Sequence, residues 1–224
     1  ITAAGKHYRV TSVKGTEAVA KLLGDDKEYL SWVTYFENSP VVAVSSDQWH
    51  DRPVGIYHTH SDESYIPDDG DDSIPFEGGI YDVGDEFTEE LAERGVNIAY
   101  YKTPHDPHDA NAYERSRRTA MGIIKKNPIA VFDIHRDGIE DPEFYTEEVA
   151  GEEIAQIKIV VGRQNPKMEA NMDFARRLMA YINKEYPGLV MEIFKADGNY
   201  NQDLLSTAVL LEAGTYTNSK EDAI

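Results

Sequence analysis

The sequence predicts an α/β fold with a mostly parallel central sheet flanked by helices. Along the chain, apolar runs of strand composition alternate with amphipathic helical segments, the order that parallel crossovers need. One run, IAVFDIH at 129–135, is apolar throughout rather than alternating, as in a strand covered on both faces. Three runs also end abruptly in reactive side chains: VGIYHTHSDES at 54–64, IAVFDIHRDG at 129–138 and TAVLLEAGTYTN at 207–218. Open α/β sheets hold ligands at the carboxyl ends of their strands. If these runs are neighbouring parallel strands, they bring His58, His60, His135 and Glu212 together.

The elements follow in order. Residues 1–50 carry a helix-like segment at 16–23, with Thr16 as cap and Gly24 as stop, and an apolar run at 40–46. They read as a lead-in packing on a main domain of residues 51–224. After the first histidine run, the cluster DDGDD at 68–72 reads as a solvated loop whose spacing does not match an EF-hand. Val83, Phe87 and Leu91 recur at helical spacing before Gly95, and VNIAYY at 96–101 has strand composition. His105 and His108 sit between prolines and read as surface groups. A helical pattern covers 113–126, a strand 156–162, a long helix 168–186 ended by Pro187-Gly188, and two strands, 190–196 and 207–212, close the sheet.

Composition bounds the function. A chain of 224 residues with 41% apolar content buries a substantial core. A formal charge of -19 argues against nucleic acid or an anionic membrane face as the main partner. With no cysteine, any metal must be held by His, Asp or Glu. No run approaches the roughly 20 apolar residues of a membrane span. The start at Ile1 rather than Met suggests a fragment or processed form, with any anchor outside it.

Zinc held for hydrolysis takes three protein ligands and leaves one position open, which brings a water's pKa down to about 7. Histidines at strand ends with a carboxylate meet that need. In an extended segment His58 and His60 face the same side, so that one ligates while the other supports. Glu212 ends an apolar run, a costly place for a charge unless it is paired or works as general base and acid. Arg136 either stabilises an oxyanion or pairs with Asp137.

The blocks IYHTHSDESY, GGIYDVGDEFTEELAERG, AYERSRRT, FDIHRDG, YNQDLL and LLEAGTYTN resemble the signature blocks of the stage II sporulation protein P family, from about Val54 to the C-terminus. The family groups peptidoglycan hydrolases related to zinc-dependent N-acetylmuramoyl-L-alanine amidases, which have a three-layer, phosphorylase/hydrolase-like architecture. The resemblance implies zinc-dependent cleavage between muramic acid and L-alanine of the stem peptide during forespore engulfment, with endopeptidase action on cross-links in some members. It implies work outside the cytoplasm, between mother-cell and forespore membranes, under a membrane anchor outside this chain, with stage II sporulation proteins D and M as partners.

Matched to the wider class, Thr59-His60-Ser61 takes the place of the Gly-His-Gly turn, making His60 the first ligand and His58 a support behind it. Asp133-Ile134-His135 matches the second ligand motif, and Glu212-Ala213-Gly214 the catalytic Glu-x-Gly. The remaining ligand, a glutamate at the start of the first helix, falls near Glu77, with Glu63 or Asp62 as alternatives. The class's final helix is missing. An acidic chain is not drawn to peptidoglycan by charge, so affinity is expected from groove contacts such as Arg115, Arg117, Arg118 or Arg136. Two rival readings remain: a zinc carboxypeptidase-like metallopeptidase, which frees one terminal amino acid, and a non-catalytic wall-binding module, which needs no general base.

Overall fold

The structure, a computed structural model, describes residues 1–15, 17–38 and 51–224. It opens on β1 (Lys6–Lys14) and β2 (Glu17–Asp25), an antiparallel ribbon whose side chains are nearly all exposed. The helix expected at 16–23 is therefore a strand. Its alanines, valine and leucines suit either state, and the partner decides: β1 pairs with it from Lys6↔Asp25 to Lys14↔Glu17, and Gly15 turns the chain at a φ of 61°. The expected cap at Thr16 and the apolar run at 40–46 lie outside the described residues.

Helix α1 (Lys27–Asn38) follows, capped by Asp26, whose Oδ1 accepts from the Tyr29 N–H at 2.8 Å. Then come β3 (Val54–Tyr57), α2 (Ile66–Asp69), α3 (Ile80–Glu93), β4 (Ile98–Tyr101), α4 (Ala112–Ile124) and β5 (Ala130–Asp137). The chain continues through β6 (Thr146–Val149), β7 (Glu152–Ala155), β8 (Ile157–Gly162), α5 (Met168–Glu185), β9 (Val190–Ala196), β10 (Ala208–Thr215) and the short α6 (Lys220–Ala223).

The six-stranded central sheet runs β4-β3-β5-β10-β8-β9. β4, β3, β5 and β10 are mutually parallel, β10 meets β8 antiparallel, and β8 is parallel to β9. The predicted mostly parallel sheet is present, with one antiparallel step. Strands β3, β5 and β10 are consecutive neighbours, so their carboxyl ends share one edge. Glu212 pairs in register with His135, and Tyr57 with Asp133.

Alternation along the strands divides the sheet's two faces. Ile56, Phe132, Ile134, Val209, Leu211, Ile159 and Ile193 join a core covered by α1, α3 and α5 through side chains such as Trp32, Val83 and Met172. Each fully buried aliphatic side chain there contributes about 1.5–3 kcal/mol. The opposite face is thinner. α4 covers its β3–β5 part by packing Ala120 and Ile123 on Tyr57, Val131 and Ala208, while Tyr113 and Tyr200 cover Val160 and Leu210. The same face carries Asp133, His135, Asp137 and Glu212. Helix α1 is tied down by a buried ion pair, Asp26 to Arg176 of α5 at 2.9 Å, and by Trp32 Nε1 donating to Asp173 at 3.2 Å.

Candidate active site

The strand β3 stops at Tyr57 because the next residues find better partners than a ladder. Asp133, buried in β5, accepts from the Thr59 N–H at 2.8 Å and the Thr59 hydroxyl at 2.6 Å, and so turns the chain over the end of the sheet. His58 stays behind that turn, fully buried, with Nδ1 2.8 Å from the Ile134 carbonyl and Nε2 2.8 Å from the Tyr100 hydroxyl. Gly84 makes room for it, since a Cβ there would lie 2.5 Å from Nε2. Both ring nitrogens are spent inside the fold, and burial holds the imidazole neutral, at about 4. The expectation that His58 and His60 face one side does not hold, because the extended segment ends before His60.

His60 instead meets His135, their ring centroids 5.2 Å apart, across the β3–β5 edge. Burial, and secondarily His135, brings His60 down to about 4, so it presents neutral imidazole nitrogens. Glu63, one turn further, reaches His135 Nδ1 at 3.2 Å and accepts from the Arg136 N–H at 3.1 Å. His135 Nε2 lies 3.0 Å from Asp133 Oδ1, outside hydrogen-bonding geometry. Burial opposes charge on His135, yet the Asp133 and Glu63 carboxylates raise it well above its ordinary value. Glu63 is depressed although burial works against its charge, because His135 and Arg136 stabilise the carboxylate.

The register of β5 and β10 puts Glu212 beside His135 on the same face. Burial pushes Glu212 up to about 8, against the pull of His135. Three atoms around this point are buried without a hydrogen-bond partner: His60 Nδ1, His135 Nε2 and Glu212 Oε2. Buried polar atoms without a hydrogen bond are costly, and these three belong to His60 and His135, whose rings meet, and to Glu212, which pairs in register with His135.

The other expected residues separate. Glu77 is exposed and, among the described residues, joins no group of possible cation donors, whereas Glu63 contacts His135 and groups with His60 and His108. Asp62 is buried against His108 at 3.3 Å and Ser73 at 2.5 Å. Arg136 spends its guanidinium on the carbonyls of Ser64, at 3.2 Å, and Asp72, at 2.7 Å, so it fastens the loop that carries Glu63 rather than facing a reacting group.

Sequence reading missed three contributors. His108, read as a surface group, stacks on His60 with centroids 3.7 Å apart, and among the described residues its nitrogens group with His60 and Glu63 as possible cation donors. His105 is buried, linking the His58 carbonyl at 2.7 Å to Thr119 at 2.8 Å, and thereby holds the loop bearing His108. Asp133 orients the turn. Its signal was legible, since a carboxylate inside an apolar run needs partners. The two loop histidines gave none beyond their type.

The sequence model of the family described as stage II sporulation protein P (SpoIIP) matches residues 11–224. The chain belongs to this family. Stage II sporulation protein P of Bacillus subtilis strain 168 is 32% identical over 190 residues, covering 76% of this chain and 47% of the relative, so the chain spans about half that protein's length. The crystal structure of the N-acetylmuramyl-L-alanine amidase Ami1 from Mycobacterium smegmatis superposes with a TM-score of 0.42 at 17% identity, over 64% of this chain and 63% of the other. The family match also takes in residues 11–53, which the resemblance noticed from Val54 onward had left outside.

The donor set fits a zinc ion. Imidazole and carboxylate are the zinc ligands open to a chain without cysteine: among the described residues His60, Glu63 and His108 offer donor atoms within 4.8 Å of one another, His60 Nδ1 is buried without a hydrogen bond, and His135 stands against both His60 and Glu63.

Proposed function

We propose that this SpoIIP-family chain is a zinc-dependent peptidoglycan hydrolase that cuts the amide between N-acetylmuramic acid and the L-alanine of the stem peptide. The observation that carries this reading is that His60, Glu63, His135 and Glu212 stand together at one strand edge, with His60 Nδ1 and Glu212 Oε2 buried without a hydrogen bond. His60, Glu63 and His135 would hold the ion, which supplies Lewis-acid polarisation and a lowered pKa for water.

The remaining chemistry belongs to side chains of this chain. Glu212, ionised, takes a proton from the attacking water at its carboxylate and returns it to the leaving nitrogen of L-alanine, so that the C–N bond breaks to a free amine and a lactyl carboxylate. Burial raises the Glu212 carboxyl, which favours the protonated form that holds the proton between the two steps. Asp133 fixes the Thr59 turn that aims His60, and Arg136 fixes the Glu63 loop.

Endopeptidase action on cross-links, a role in forespore engulfment between the two membranes, anchoring through a segment outside this chain, and partnership with stage II sporulation proteins D and M extend the same reading. Support for them is family membership. Mass spectrometry of digested peptidoglycan tests the central activity. Intact stem peptides with a free L-alanine amine are expected. Release of a single terminal amino acid would instead indicate a carboxypeptidase, and wall binding with no product would indicate a binding module.

A further inference from the structure

Affinity for peptidoglycan has to come from something other than charge. The chain carries -19, and three of the four arginines expected in the groove are committed internally. Arg115 donates to the carbonyls of His105 and Pro107 and to Asp109, Arg117 to Asp203, and Arg136 to the carbonyls of Ser64 and Asp72. Beside the site stands a residue with no such internal use. Phe76 is 62% exposed and adopts a φ of 68°, a region that bulky side chains avoid.

Its position is fixed, not incidental. The Phe76 N–H donates to Asp106 Oδ1 at 3.1 Å, and the other oxygen of Asp106 accepts from Ser61 Oγ at 2.8 Å. The turn that carries the ring is fastened to the segment between His60 and Glu63: Ile74 N–H to the Asp62 carbonyl at 2.8 Å, Gly78 N–H to that of Ser61 at 3.1 Å, and Ile80 N–H to that of Glu63 at 3.0 Å. Gly78 is required there, because a Cβ would come within 2.4 Å of the Glu63 carbonyl oxygen. Strained backbone survives where surrounding contacts over-determine it, and it clusters at binding sites. Here the strain displays an aromatic ring to solvent at the rim of the catalytic edge, where burial within the chain returns nothing.

We propose that Phe76 is a substrate-binding residue whose ring forms an apolar platform for a sugar ring of the glycan strand. This rests on the peptidoglycan-hydrolase reading and names the part of the substrate bound beside the site. The C–H face of a pyranose is neutral and needs no basic partner, whereas the exposed carboxylates of Asp71, Asp72 and Glu77 on the same loop repel the acidic stem peptide.

The test compares Phe76→Gly and Phe76→Trp with the parent chain on purified peptidoglycan, and on glycan strands stripped of stem peptides in a sedimentation assay. Phe76→Gly should raise KM about tenfold with kcat nearly unchanged, and should lose retention on stripped glycan, as expected for removing one aromatic anchor. Its Tm should hold or rise, because glycine adopts positive φ freely, whereas a merely structural residue would lower it. Phe76→Trp should keep both KM and retention. Unchanged KM and retention in Phe76→Gly would overturn the proposal, as would loss of binding to free stem peptide alone. A parent chain that binds stripped glycan through Phe76 but hydrolyses nothing would overturn the hydrolase reading instead.

Discussion

The two faces of the central sheet are built from the same strands and do opposite work. One residue along β5 separates Ile134, packed in the core, from His135 at the site, and one along β10 separates Leu211 from Glu212. On the core face, helices α1, α3 and α5 exclude water from an apolar layer that carries the stability. On the other face, α4 covers only part of the sheet, and the uncovered strand ends hold charged groups that cost stability. The period of two in a strand lets one segment serve both purposes, and it makes changes on one face separable from changes on the other.

The sharpest way to break that separation is at Glu212. Glu212→Gln removes the proton carrier while keeping the shape, and should lower kcat by about 10²–10⁴-fold with an unchanged circular dichroism spectrum. Across the sheet, Met172→Ala empties a fully buried position of the helical layer and should cost about 3–4 kcal/mol in urea unfolding, with activity per folded molecule retained. Loss of activity in proportion to stability would show that the faces are not independent.

Smaller effects sharpen the comparison. Burial opposes charge on Asp26, yet Arg176 and the Tyr29 N–H together hold its carboxyl below the usual carboxylate range. A depressed folded-state value contributes stability that is present above the unfolded carboxylate value of about 4 and is lost as pH falls through the folded value. Asp26→Asn should therefore cost about 3 kcal/mol at neutral pH, with the difference from the parent chain shrinking below about pH 4 in unfolding curves. The ribbon β1–β2 should matter least to folding: Val13→Ser, at a side chain 68% exposed, is expected to change stability by less than about 0.5 kcal/mol.

Much of this was legible in the sequence where pattern and physics coincide. IAVFDIH and TAVLLE could be read as strands because covered strands stay apolar throughout, and Val83, Phe87 and Leu91 marked α3 because its face repeats every turn. Meeting of His60, His135 and Glu212 followed from strand adjacency, a property of topology that the alternation of elements implies. What escaped depended on partners distant in sequence. β2 is a strand because β1 lies beside it, and β8 reverses direction beside β10. Glu63 reaches the histidines through a turn set by Asp133, from a chain position too close to His60 for a helix-start glutamate. His105 and His108 joined the site through loop anchoring by Ser61 and Arg115, which no local pattern announces.

The central claim, that one cation is gripped between His60, Glu63 and His135 next to Glu212, is most directly tested by counting zinc in purified protein. The account predicts about one ion per chain, lost on His60→Ala, His135→Ala or Glu63→Ala and retained on Glu77→Ala and Glu212→Ala. Full zinc content in both histidine variants, or its loss in Glu77→Ala but not in Glu63→Ala, would contradict it.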